Sequence, residues 1–163
     1  MKLDLGTTRR IIAEAKKQKL LRNQLAYVLA TAYHESAHSM NPVKEQGSLK
    51  YLKSKDYYPY VGMGLVQLTW DYNYIKAGKF LGVDFMKLPE KLLLPEYAVP
   101  ILVKGMKDGW FTGKKLSDYI TLKTSNFFEA RRIVNRLDDA QLIASYAWVY
   151  DNLLKKEGYG VTA

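Results

Sequence analysis

Cysteine is absent from the 163-residue chain, so disulfides and thiolate zinc sites are excluded. Histidine is scarce, at two copies, and that rules out a three-histidine metal centre. No apolar run approaches the roughly 18 residues needed to span a bilayer. Residues 1–6, Met-Lys-Leu-Asp-Leu-Gly, lack the apolar core of a signal peptide, so export is expected to use another route. Internal repeats, linkers and low-complexity stretches are also missing. Acidic residues are in short supply, with 16 Asp and Glu against 25 Lys and Arg for a formal charge of +9.

That charge is uneven. Residues 1–55 carry 11 basic and 4 acidic side chains (11 − 4 = +7), and residues 56–163 carry 14 and 12 (14 − 12 = +2). A basic N-terminal third suits an anionic partner, or else a solvated surface that aids solubility. Apolar residues make up 48%, enough for one domain, residues 1–163, with a real core.

Helical spacing dominates the pattern. Residues 7–22 read as an amphipathic helix capped by Thr7 or Thr8, with Ile11, Ile12, Ala15 and Leu20 inward and lysines outward. Asn23 is expected to cap a second helix over residues 23–37, with Leu25, Val28, Leu29, Ala32 and Tyr33 as its core stripe. Thr31, His34, Glu35 and His38 fall on another stripe of the same helix. Residues 41–60 look irregular, and a small hairpin is expected near residues 56–70, where 65–70 is β-prone. Further helices are predicted over 71–81, 95–107, 116–120 and 127–135. The last covers residues 138–155, capped by Asp138 or Asp139, with an apolar stripe that includes Leu142, Ile143, Tyr146, Val149, Tyr150 and Leu154. Gly158-Tyr159-Gly160 reads as a frayed tail. The class is mainly α.

Residues 33–45 gather both histidines and two carboxylates, and two chemistries compete for them. His34-Glu35-x-x-His38 fits a zinc peptidase, with two ligands one helical turn apart and Glu35 as base. Alternatively, Glu35 and Glu45 are the acid and base of a glycoside hydrolase. Beside an apolar stripe, Glu35 would be desolvated, and a desolvated carboxyl keeps its proton. Glu45 sits in a lysine-flanked loop, where Lys44 favours the ionised form.

Three blocks carry a resemblance. Ala32-Tyr33-His34-Glu35-Ser36 is similar to a His-Glu-Thr-Thr segment. Tyr60-Val61-Gly62-Met63-Gly64-Leu65-Val66-Gln67-Leu68-Thr69-Trp70-Asp71-Tyr72-Asn73-Tyr74 is similar to Tyr-Tyr-Gly-Arg-Gly-Pro-Ile-Gln-Leu-Ser/Thr-Trp-Asn-Tyr-Asn-Tyr. Arg131-Arg132-Ile133-Val134-Asn135 is similar to Arg-Ile-Ile-Asn. In this order they resemble glycoside hydrolase family 19, the plant-type chitinases and related phage and bacterial lysozymes. The resemblance implies a lysozyme-like, two-lobed helical fold with a small β-hairpin or irregular loop region. It implies Glu35 as general acid, Glu45 as general base and Thr69 as the residue positioning the water. His34, Gln67, Tyr72, Asn73 and Asn135 fall at substrate-binding positions. There are departures: Met63 replaces an arginine, Arg136-Leu137 replaces Gly-Gly, and Leu142 stands where many chitinases have an arginine in the acid's hydrogen-bond network, a role expected here of Arg132.

The expected function is an endolysin-type muramidase cutting the β-1,4 bond between N-acetylmuramic acid and N-acetylglucosamine. The alternatives are a chitinase, the zinc peptidase, and a wall-binding protein without catalysis. Peptidoglycan strands are the expected partner, with the basic third meeting the anionic envelope surface. No nucleic acid, cofactor or metal is expected, and the chain is expected to be a monomer. It is expected to be made in the host cytoplasm and to act on the cell wall after release.

Overall fold

The computed structural model describes residues 1–66 and 68–163. Six α-helices lie among them: α1 (Thr8–Lys17), α2 (Arg22–Glu35), α3 (Leu49–Lys53), α4 (Asp71–Leu81), α5 (Pro95–Asp108) and α6 (Ala140–Lys156). Three 3₁₀ turns cover Pro89–Leu93, Leu116–Asp118 and Glu129–Ile133. Strands β1 (Val43–Lys44) and β2 (Met63–Gly64) pair antiparallel, Val43 opposite Gly64 and Lys44 opposite Met63.

α2 is the central element. The sequence suggested a single apolar stripe, but every residue from Leu25 to Ala32 is buried. A helix that is apolar all round belongs inside, and α1, α5 and α6 pack about it. Its start differs from expectation. Leu21 precedes the first turn, and its N–H is taken by the Gln24 side chain at 3.0 Å. Asn23 instead donates to the Thr121 carbonyl and to Ser125. α1 is shorter than expected because Lys19 turns left-handed (φ 61°), which sends Leu20 back into the core.

Two apolar clusters divide the molecule. The larger joins α1, α2 and α6 through residues such as Ile11, Leu29, Ile143 and Tyr150. The smaller gathers Val61, Met63, Leu68, Tyr74, Phe85 and Leu92. α5 serves both, with Leu102 and Val103 in the first and Ile101 in the second. This is the two-lobed, mainly helical arrangement, and α5 is its shared spine.

The hairpin lies elsewhere than predicted. The described residues among 65–70 form no strand; Leu68 makes a single bridge to Met63, and β2 finds its partner at residues 43–44. The loop between the strands is not wholly irregular either, since Ser48 caps α3 by accepting from the Tyr51 N–H at 3.1 Å. Gly64 holds φ 104°, a conformation that costs glycine little. The buried face of α6 is Ile143, Ala147, Tyr150 and Leu154, while Leu142 and Val149 are exposed. The tail is held rather than frayed: Arg22 donates to the Gly160 carbonyl at 2.7 Å, and Leu21 bridges Thr162.

Candidate active site

Glu35 is the last residue of α2. Its surroundings are not simply apolar. Arg131, from the 3₁₀ turn before α6, donates from a terminal nitrogen to Glu35 Oε1 at 3.0 Å, and the Arg131 side chain is 3% exposed. The same guanidinium donates to the Asp138 carbonyl at 3.0 Å and lies 3.5 Å from its carboxylate. A buried guanidinium needs such partners, because an unpaired buried charge is expensive. No donor reaches Glu35 Oε2 among the described residues. The arginine of this network is therefore Arg131. Arg132, the expected candidate, points outward and pairs with Glu129 at 2.6 Å.

Asp138 and Asp139 do not cap α6 with their side chains. Asp139 sits left-handed at the helix start, with no side-chain cap bond. Its carboxylate lies 3.4 Å from His34 Nε2, so His34, the residue before Glu35, meets Asp139. Asn135 is exposed, and its side-chain oxygen accepts from the Arg136 N–H at 2.9 Å.

The zinc geometry fails. α2 ends at Glu35, and Ala37 and His38 follow in left-handed conformations (φ 51° and 71°). His34 and His38 thus do not share a helical face. The His38 ring stacks on Tyr33 at 4.3 Å, nearly parallel, with the Tyr146 hydroxyl 3.4 Å from its Nε2. Among the described residues no group of three His, Asp or Glu is placed to hold a metal.

Glu45 follows β1 and is half-buried. Its N–H donates to the Gly62 carbonyl at 2.7 Å, which extends the hairpin by one rung. Its side chain accepts from the Tyr57 hydroxyl at Oε1 and from the Gly62 N–H at Oε2, the latter at 3.0 Å. A surface glutamate would not hold two such donors. Burial, and then the bond to Glu45, push the Tyr57 phenol well above its ordinary range, so it remains a donor. Lys44 is not the partner expected; it lies 3.5 Å from Glu90.

The neighbouring wall is aromatic. Tyr57 meets Trp70 edge-on at 5.8 Å, and Trp70 stacks on Tyr72 at 5.8 Å. Trp70 and Tyr72 are exposed, whereas Asn73 is buried and donates to the Thr69 carbonyl at 3.0 Å. Thr69 is half-buried directly before Trp70. Asn73 therefore holds the Thr69 backbone. Gln67 lies outside the described residues. Sequence reasoning missed Tyr57, Arg131 and Asp138; the adjacent Arg-Arg pair was the one visible signal for the second.

Two carboxylates are thus held by separate lobes, each with its own donors. No family model matches the chain. Curated relatives do. An endochitinase of Arabidopsis thaliana is 37% identical over 82 residues, 47% of this chain and 29% of its own. An acidic endochitinase of Dioscorea japonica is 29% identical over 122 residues, 70% of this chain and 47% of its own. The resemblance to glycoside hydrolase family 19 is borne out. Chitinase C from Streptomyces griseus HUT6037 shares the fold of this chitinase-like chain, with a TM-score of 0.61 at 21% identity over 82% of this chain and 73% of that one. The chain spans about half or less of the length of the curated relatives it matches.

Proposed function

We propose that this chitinase-like chain is an inverting glycoside hydrolase acting on β-1,4-linked glycans that contain N-acetylglucosamine. The observation that carries the reading is the pair of differently held carboxylates. Glu35 accepts from Arg131 at Oε1, and among the described residues no donor meets Oε2, the oxygen assigned to the proton transfer. Glu45 is fixed through both oxygens, each with a further lone pair. In the reaction Glu35 gives its proton to the glycosidic oxygen as the bond to the anomeric carbon breaks. A water attacks that carbon from the opposite face and passes its proton to Glu45. Thr69 positions the water. His34, Tyr72 and Asn135 line the path of the sugars, with Trp70 beside Tyr72 as an apolar face for them.

The finer reading is a muramidase of the endolysin type, acting on peptidoglycan once it reaches the cell wall. The net +7 of residues 1–55 supports it, because that wall is anionic. A chitinase is the second reading, favoured by the relatives' names. Mass spectrometry of the products separates the two. Reducing-end muramic acid from peptidoglycan, with chitin oligomers left intact, is expected; cleaved chitin oligomers and untouched peptidoglycan would overturn the muramidase.

A further inference from the structure

A second basic feature lies apart from both carboxylates. Where α1 packs along α5, a cavity of about 600 Å³ opens, floored by Phe80, Leu81 and Pro100. That volume falls in the range of real ligand sites. Lys17 and Lys19 stand on one side, Lys104 and Lys107 on the other, against Glu14 and Glu96. A smaller hollow of about 260 Å³ shares Glu14, Lys17, Glu96 and Pro100 with it and adds Arg10. The two form one groove, and neither Glu35, Glu45 nor Thr69 lines it.

The lysines differ in what already occupies them. Lys107 donates to the Gln18 carbonyl at 2.7 Å, and Lys104 pairs with Asp108 at 2.9 Å. Lys17 and Lys19 are exposed and meet no acidic partner within ion-pair distance among the described residues. Phe80 is 40% exposed, with the Lys104 ammonium 5.7 Å from its ring centre. Trp110 closes edge-on against Phe80 at 5.7 Å.

Each feature restricts the ligand. The apolar floor suits the carbon face of a sugar or polyol. The cations are four ammonium groups and the Arg10 guanidinium; ammonium groups bind phosphates as compact point charges, and a guanidinium grips them in two-point fashion. Charges spread along a groove, instead of converging on one point, match an anion that repeats along a chain. We propose that this groove is a second binding site, for a phosphodiester-linked sugar or polyol polymer, and that it holds the protein on its target independently of catalysis.

The test uses the full chain and soluble poly(glycerol phosphate) in isothermal titration calorimetry at near-physiological salt. Saturable binding is expected. Lys17→Glu with Lys19→Glu should raise the Kd about tenfold, and Lys17→Gln with Lys19→Gln should raise it less with the fold undisturbed. Lys50→Glu with Lys53→Glu makes the same charge change on α3 and should leave the Kd within about twofold. Equal losses from the Lys17/Lys19 and Lys50/Lys53 pairs would overturn the proposal, because net charge alone would then explain the binding. So would equal affinity for duplex DNA or hyaluronate, or binding seen only with phosphatidylglycerol vesicles. The readout is binding, so failure here leaves the hydrolase reading standing, and a catalytically dead protein could still pass.

Discussion

The two carboxylates are held in opposite ways. Glu35 is gripped by a buried cation 96 residues further along the chain, which in turn is tied to Asp138. Glu45 is gripped by neutral donors 12 and 17 positions away, a phenol and a backbone N–H. Among the described residues the first arrangement leaves one carboxylate oxygen without a donor, as the proposed role of acid requires. The second occupies both oxygens and fixes the orientation of the carboxylate proposed as base. The larger lobe thus contributes an ionic network to the site, and the smaller lobe a short hairpin with an aromatic wall.

If the two arms do have these roles, Glu35→Gln should show the largest effect, a fall of about a thousandfold in kcat on peptidoglycan with unchanged circular dichroism. Full activity in a folded Glu35→Gln protein would break the assignment. Arg131→Met comes next. It strands Glu35 and the Asp138 carbonyl, and should cost about 3 kcal/mol in urea unfolding along with most of the activity. Arg132→Ala is its control: this arginine pairs at the surface, and its loss should leave the unfolding midpoint unmoved.

Tyr57→Phe probes the other arm. It removes one hydrogen bond to a charged group, and should lower kcat about tenfold at a cost of about 1.5 kcal/mol in stability. Equal losses from Tyr57→Phe and Arg131→Met would erase the contrast between the arms. The smallest effect is on titration. The Tyr57 phenol is raised in the folded protein, first by burial and then by Glu45. Its contribution to stability is therefore complete below the ordinary tyrosine pKa of about 10 and is lost as pH climbs beyond it. Ultraviolet titration should find Tyr57 still protonated where exposed tyrosines have ionised, and Glu45→Gln should relax the shift only in part, because burial remains.

Much of the fold was legible. α4 matches its predicted bounds, and α5 begins at Pro95 and stops at Gly109, because proline and glycine act locally on backbone angles. α2 was visible as a helix, but its burial on every side was not, since that depends on what packs around it. The hairpin was misplaced because β1 is two residues long and carries no periodicity of its own. His38 looked like a zinc ligand only while the helix was assumed to continue past Glu35.

By itself the sequence determined the helical class, the cysteine-free chemistry and the basic N-terminal third, and it singled out the two glutamates of the proposed site, since composition, spacing and block order are written in the chain. Only the tertiary structure decided that Arg131 rather than Arg132 faces Glu35, that Tyr57 and Gly62 hold Glu45, and that the lysines of α1 and α5 share one groove. Adjacent residues in a 3₁₀ turn point in different directions, and which one meets a buried charge depends on how α2, the turn and α6 pack. That packing is set by the shape of the whole core, and no local pattern encodes it.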